Sequence, residues 1–206
     1  AGTLDPNAEG VLPIAINKTT KLIPFVNSKL KKYNFKIKWG EETSTDDSEG
    51  DILNYSNKIP KEDEIKKIIN LFLGYTDQIP PKASAIKVNG RRAYSILRDK
   101  INFSLEPKKV LLKSIFYLCS DNNTSDFLIE CGKGFYVRSL ARDMAHKLET
   151  YGHVVELKRT KVGNFKEKTS ILLDDLLKIG QSEFEFNCIH SSISMLDDIL
   201  AYEVEE

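Results

Sequence analysis

Residues 31–39, Lys-Lys-Tyr-Asn-Phe-Lys-Ile-Lys-Trp, alternate strictly between two kinds of side chain. Tyr33, Phe35, Ile37 and Trp39 fall on one face, and Lys32, Asn34, Lys36 and Lys38 on the other. A period of two separates them, so the stretch predicts a strand with one face in a core and one in water. That commits the chain to a sheet covered on at least one side. The strand ends at Gly40, and a polar loop rich in Thr, Ser, Asp and Gly runs from Glu41 to Asp51.

The other elements can be read around this strand. Ile65, Ile68, Ile69, Phe72 and Leu73 predict a helix over 61–73, with Gly74 just past its end. Pro80-Pro81 forces an extended path from Gln78 to Lys82. Residues 84–88 predict a short strand, Asn89-Gly90 a two-residue hairpin turn, and 93–99 a short helix. Strands are predicted over 110–119 and 127–131, separated by a polar turn at 121–126. A helix over 137–149 carries Val137, Leu140, Ala141, Met144 and Leu148 on one stripe. A strand over 154–162 and a helix over 170–178, with Ser170 as N-cap, come next. A small apolar segment spans Ile193–Leu200. Helices and mainly antiparallel strands intermingle without regular βαβ alternation, so the fold class is α+β.

A length of 206 residues suits one domain over 1–206, with a small appendage over 180–206 packed on it or opening a further domain. Hydrophobic residues at 41% supply a core, and no apolar run reaches membrane-spanning length. Neither a secretory leader nor an initiator Met opens the chain, which predicts a natural protein that extends further N-terminally. Cys119, Cys131 and Cys188 lack CxxC spacing and suit a reducing cytoplasm, with Cys119 and Cys131 as buried thiols. His146, His153 and His190 are far apart, and none forms a metal-ligand spacing with a Cys, so no metal site is expected. Net charge is zero but segregated. Residues 82–100 hold six basic residues against Asp99, residues 158–168 five against Glu167, and residues 174–206 nine acids against Lys178. Such segregation fits either a basic face for a polyanion or an ordinary solvated surface.

Four segments are built for more than folding. In the first, Asp5 stands before Pro6, between Gly2 and Gly10, and leads into the apolar run 11–16, which predicts an aimed carboxylate feeding into core. An ordinary Asp-Pro turn is the plainer alternative. In the second, Tyr33 precedes a loop with Thr43, Thr45 and Asp47, which suits hydrogen bonds to a polar ligand or an exposed hairpin tip. In the third, Lys87, Arg92 and Tyr94 come after Pro80-Pro81, and cations interleaved with an aromatic suit a nucleic-acid strand. In the fourth, Gly132-Lys133-Gly134-Phe135-Tyr136-Val137-Arg138 opens a helix, where Lys133 strengthens an anion-attracting terminus. Arg138 in the first turn opposes the helix dipole and calls for a carboxylate partner, unless it is a surface cation. Without GxSxG, a Walker loop or GxGxxG, carboxylate chemistry remains, with Asp as nucleophile or base beside Arg. Paired acids of a carbohydrate-processing enzyme would need a second carboxylate roughly 5–9 Å from Asp5, and the basic runs favour a polyanion instead.

Together these segments resemble the TruB-type tRNA pseudouridine synthases. Gly2-Thr3-Leu4-Asp5-Pro6 with Gly10-Val11-Leu12-Pro13 matches the family's catalytic loop, and Lys32-Tyr33 with the Gly40–Gly50 pattern matches the family's next strand and its loop. Pro80-Pro81, Ser84-Ala85-Ile86-Lys87, Gly90, Arg92 and Tyr94 match a third block. Gly134 to Arg138 and His153-Val154-x-x-Leu157-x-Arg159 match the last two. The resemblance implies a pseudouridine synthase fold, a mixed and mainly antiparallel sheet flanked by helices. It implies conversion of a T-arm loop uridine of tRNA to pseudouridine by a monomeric cytoplasmic enzyme without metal or cofactor. Asp5 is then the catalytic carboxylate, Arg138 its ionising partner, and Tyr33 the residue that stacks on the base and handles a proton. Tyr136 and Leu157 line the pocket, and Lys18 and Lys21 contact phosphate. The family's usual N-terminal strand and Gly-His pair are missing before Asp5, a PUA-type domain has no room after Leu200, and 98–100 lacks an expected glycine. A tRNA-binding or tRNA-folding module with impaired catalysis is the alternative that these departures leave open.

Overall fold

The computed structural model describes residues 3–178 and 189–191. Its strands are β1 (Ala8–Gly10), β2 (Lys31–Trp39), β3 (Glu41–Thr43), β4 (Ile52–Tyr55), β5 (Gly74–Gln78), β6 (Lys87–Val88), β7 (Arg91–Arg92), β8 (Lys108–Asp121), β9 (Thr124–Cys131), β10 (Gly152–Val162) and β11 (Phe165–Lys166). Its α-helices are α1 (Ile23–Ser28), α2 (Glu62–Ile69), α3 (Ala93–Arg98), α4 (Val137–Lys147) and α5 (Leu173–Lys178). The main sheet runs in the order β1-β10-β2-β9-β8-β5, with β11 hairpinned onto β10. Only β1 pairs in parallel; every other ladder of this sheet is antiparallel. The α+β reading of the sequence therefore holds.

The alternation in β2 does what its period demands. Tyr33, Phe35, Ile37 and Trp39 are buried, and they meet Phe127, Ile129 and Cys131 of β9 and the apolar stripe of α4. Phe35 stacks on Phe127 with ring centroids 5.3 Å apart, and the Trp39 indole N–H donates to Ser125 Oγ at 2.8 Å. Burying each large apolar side chain is worth about 1.5–3 kcal/mol, so this layer supplies much of the stability. α2 packs on the same core through Ile65 and Ile69, with three acids in its first turn and two lysines in its last, as the helix dipole favours.

Several boundaries differ from the sequence expectations. The predicted helix over 61–73 is α2 followed by a 3-10 turn over Asn70–Phe72, and Gly74, at φ +89, opens β5. The predicted turn over 121–126 shrinks to Asn122 and Asn123, because Ser125 and Asp126 still pair with β8. The strand predicted over 84–88 is only β6, although Asn89 and Gly90, both at positive φ, make the expected turn to β7. Ser170 is not an N-cap: its hydroxyl turns back to the Lys166 carbonyl, and α5 starts three residues later. Lys100 takes φ +55, within the 98–100 stretch where the resemblance implies a glycine.

Two burial expectations fail outright. Leu12, Ile14 and Ile16 are 49, 65 and 64% exposed, so the segment after Asp5 sends only Val11 into a core, where it meets Val26 and Val162. Cys119 is exposed while Cys131 is buried. Local hydropathy cannot say which apolar run finds a covering layer; a bulge between Tyr117 and Cys119 sets Cys119 opposite Asp126, on the face that carries Lys36. Cys188, the apolar segment 193–200 and most of the 180–206 appendage lie outside the described residues. Among the described residues, no helix is long and apolar enough to cross a membrane.

Candidate active site

A turn delivers Asp5. The Ala8 amide donates to the Asp5 carbonyl at 2.9 Å, with Pro6 second in the turn and Asp5 first, as such turns favour. β1 then lies against β10, Gly10 opposite Arg159. Gly10 has φ +110, and a Cβ there would sit 2.2 Å from the Arg159 carbonyl oxygen, so only glycine permits this close parallel pairing.

A buried clamp positions the start of α4. The Gln78 side chain, on β5, accepts from the Tyr136 amide at 2.9 Å and donates to the Tyr136 carbonyl at 3.1 Å. Arg138 lies in the first helical turn, 4% exposed, so it is not a surface cation. Its Nε lies 2.8 Å from Asp5 Oδ2, and its Nη2 donates to Asp5 Oδ1 at 2.8 Å. Nη1 reaches Asp47 Oδ2 at 3.0 Å and the Thr45 carbonyl at 2.9 Å, and Nη2 also reaches the Ala83 carbonyl at 3.1 Å. The guanidinium has five N–H bonds; those of Nη1 and Nη2 make four hydrogen bonds, while Nε, 2.8 Å from Asp5 Oδ2, makes none. Its plane is therefore set by three separate strips of chain, and the Asp5 carboxylate is held by a hydrogen bond at Oδ1 and an ion-pair contact at Oδ2.

Asp47 is the correction in this site. The loop expectation pointed its acid and the hydroxyls of Thr43 and Thr45 outward, to a polar ligand or at an exposed hairpin tip. The structure turns them inward instead. Thr45 Oγ1 and the Glu49 amide both donate to Asp47 Oδ1, and Thr43 Oγ1 donates to the Asp47 carbonyl at 2.6 Å. A buried guanidinium in a helix's positive first turn needs more than one counter-charge, and Asp47 is the second. Two carboxylates against one guanidinium leave excess negative charge. The Asp5 carboxyl sits above its ordinary value of 3.8: burial is the main cause, Arg138 pulls it down, and Asp47 pushes it up. The sequence reading credited Arg138 alone and missed that burial outweighs it.

Tyr33 stands across the sheet from Arg159, and that buried guanidinium donates from Nε to the Val11 carbonyl at 2.8 Å. Burial pushes the Tyr33 phenol up to about 12, against the lowering effect of the hydrogen bond from Arg159. Tyr136 is half-buried, its phenol also raised by burial, and faces the Ser84 side. Asp5, Asn7, Asp47, Arg138, Val154 and Leu157 line one small cleft, so Leu157 lies beside the acid. Lys18, Lys21, Lys87, Arg92, Tyr94 and Lys133 are all exposed and none lines this cleft. Arg92 donates to the Ala85 carbonyl, which braces the β6–β7 hairpin. Sequence reasoning overlooked Gln78, whose clamp has no local signature, and gave Arg159 no role, although a cation predicted inside a strand was its signal.

Comparison with known proteins places this geometry in context. Residues 1–137 match the family model described as TruB family pseudouridylate synthase (N terminal domain), and residues 138–201 the one described as tRNA pseudouridylate synthase B C-terminal domain. The tRNA pseudouridine synthase B of Wolbachia pipientis subsp. Culex pipiens is 42% identical over 190 residues, covering 91% of this chain and 54% of that protein. The protein of the same name in Ehrlichia ruminantium is 46% identical over 178 residues, covering 85 and 60% respectively. That of Caulobacter vibrioides is 42% identical over 210 residues, covering 100 and 67%. The chain thus spans roughly half to two thirds of the length of these relatives. A crystal structure of a Cbf5-Nop10-Gar1 complex superposes with a TM-score of 0.71 at 26% identity, covering 95% of this chain and 52% of the matched one.

Proposed function

We propose, given that this chain belongs to the TruB family of pseudouridylate synthases, that it isomerises a T-arm loop uridine of tRNA to pseudouridine at the Asp5 cleft. The observation that carries this reading is the contact of Arg138 with both carboxylate oxygens of Asp5. The reaction breaks the bond from C1′ to N1, turns the uracil, and joins C1′ to C5. N1 ends with a proton and C5 loses one. Asp5 acts while ionised, either attacking C1′ or taking a proton from the ribose, and the ion pair with Arg138 keeps its oxygens aimed.

The target base must leave its stack, at a cost of a few kcal/mol. Tyr33 offers a π-face worth roughly 1–3 kcal/mol to the extruded base. With its phenol pushed up to about 12, Tyr33 serves at neutral pH as a stacking face and hydroxyl donor rather than a ready base. Leu157 forms one wall of the cleft, Tyr136 flanks it from outside its lining, and Arg159 sets the Tyr33 ring. The exposed cations Lys18, Lys21, Lys87, Arg92 and Lys133, with Tyr94, then engage phosphates and bases outside the cleft. Residues 1–206 act in this reading as one catalytic unit, because β10, from the second matched span, lies between β1 and β2 of the first. It works as a monomer in the cytoplasm, where its substrate is made.

The test is pseudouridine formation in a T-arm stem-loop RNA by the wild-type chain and by Asp5→Asn. Product from wild type alone supports the enzyme. Equal RNA binding with no product from either makes the chain a tRNA-binding module.

A further inference from the structure

Arg138 has a second arginine behind it. Arg142, one turn further along α4, places Nη1 2.9 Å from Asp46 Oδ2 and donates from Nη2 to the Ile79 carbonyl at 2.8 Å. Its Nε and Nη2 also reach Asp143 Oδ1 at 3.1 and 3.0 Å. Asp46, like Asp47, is 8% exposed. Two adjacent acids thus meet two arginines four residues apart on one helix face.

That arrangement is unusual for a peptide chain. Consecutive residues in extended backbone point to opposite sides, whereas residues i and i+4 of a helix share a side. Asp46 and Asp47 both face α4 because Asp46 takes φ +60. The left-handed region costs an L-residue roughly 1–2 kcal/mol, less for Asp and Asn, so something must hold Asp46 there. Its amide donates to the Thr43 carbonyl at 3.3 Å, its carbonyl accepts from the Val154 amide at 3.1 Å, and its carboxylate takes Arg142. The other hand of Arg142 holds Ile79, whose carbonyl also accepts from Ser139 Oγ at 2.7 Å. Ile79 leads through Pro80-Pro81 to Ala83. Arg142 therefore ties to α4 the same two strips of chain that supply Thr45, Asp47 and Ala83 to Arg138.

We propose that Asp46 and Arg142 are a positioning pair: they hold Asp47, and through it the Arg138 guanidinium, in the orientation that grips Asp5. The inference deepens the proposed reaction and rests on it for its kinetic arm only. Neither residue touches substrate in this reading; Asp46 acts through Asp47, and Arg142 through Asp46 and the Ile79 strip.

The experiment measures kcat and KM on a T-arm stem-loop RNA and, without RNA, the titration of Asp5 by carboxyl NMR. Asp46→Ala is expected to lower kcat by about tenfold or more, the scale that a misplaced catalytic group costs, with KM within about twofold. Asp46→Asn still accepts from Arg142 and tolerates left-handed backbone, so it retains most of the wild-type kcat. Asp46→Gly takes that backbone freely but lacks the acceptor, and it behaves like Asp46→Ala. Combining Asp46→Ala with Asp47→Asn is no worse than Asp47→Asn alone, since one acts through the other. Asp5 titrates higher in Asp46→Ala than in wild type. Should Asp46→Ala fail to fold, Arg142→Gln asks the same question from the helix side and is expected to give the same results. A lower Tm with kcat and the Asp5 titration unmoved overturns the proposal, as do losses from Asp46→Ala and Asp47→Asn that multiply. A wild-type chain that makes no pseudouridine sinks the catalytic reading instead, and the Asp5 titration still decides the pair.

Discussion

Cationic side chains are used in opposite ways at two places in this molecule. Around Arg138, Nη1 and Nη2 of the guanidinium donate to four acceptors within the protein, Nε makes an ion-pair contact with Asp5, and the charge is buried. On the β6–β7 hairpin and the helix after it, Lys87, Arg91, Arg92 and Arg98 are exposed; Arg91 pairs with the half-exposed Asp99. Burial fixes the geometry of the first cluster and makes it costly to disturb, because charges out of water tolerate no missing partner. Exposure leaves the second cluster adaptable and screened by salt, suited to phosphates whose counterions it can release. One region should therefore govern turnover and the other affinity.

Asp5→Asn tests this division hardest. Turnover should fall on the order of 10⁴-fold or more, as when a catalytic nucleophile or base is deleted, with RNA affinity within about threefold. Single-turnover assays and filter binding on one RNA check both, and a large loss of affinity would blur the division. Arg138→Ala comes next. It should destabilise the fold by about 3 kcal/mol, because it strands the buried Asp47 and the half-buried Asp5, and it should raise the Asp5 pKa further by removing its opposite charge. Urea unfolding and carboxyl NMR test these, and Arg138→Lys should rescue little, since one ammonium cannot replace four hydrogen bonds and an ion-pair contact.

The pH dependence is set by the same cluster. The Asp5, Asp46 and Asp143 carboxyls all lie above 3.8, mainly through burial. The folded protein therefore binds protons that the unfolded chain releases. Their contribution to stability is fully present below 3.8 and is lost as pH rises through the folded values. For activity the sign is reversed, because Asp5 must be ionised: kcat/KM should fall with acid on a limb above 3.8. A limb at or below 3.8 would mean that burial does not outweigh Arg138.

Smaller effects belong to the exposed region. Lys87→Ala with Arg92→Ala should leave kcat at saturating RNA intact and weaken binding several-fold. It should also reduce the slope of log affinity against log salt by about 0.7–0.9 for each cation that meets a phosphate. A fall in kcat with an unchanged slope would erase the contrast. The least effect is expected from Lys100→Gly. Relief of the φ +55 backbone is offset by the added freedom of the unfolded chain, for a net change in urea-measured stability within about 0.5 kcal/mol.

Much of the architecture was legible from neighbours in the chain. The period in 31–39, the Asn89-Gly90 turn and the stripe on α4 each depend on contacts a few residues apart, and each sits where its pattern put it. The failures share another cause. Leu12, Ile14, Ile16 and Cys119 lie in apolar or alternating runs that suggest burial, yet burial requires a second layer that no local window encodes. Asp47 was noticed as an acid in a polar loop, but its partner is 91 residues away. Asp46 and Arg142 gave only a faint signal, two adjacent acids and two arginines at helical spacing.

Read from residues alone, the chain already shows which segments are strands, helices and turns, and that Arg138, placed against its helix dipole, required an acid. Steric and hydrogen-bonding preferences act over a few residues, so the chain states them openly. The packed molecule was needed to select Asp5, 133 residues from Arg138, and Asp47 as the acids that answer it. It was needed again to establish that burial raises the Asp5 pKa although Arg138 pulls it down. Coulomb attraction and loss of water depend on distance and depth in space, and those exist only once the sheet and α4 have brought the strips of chain together.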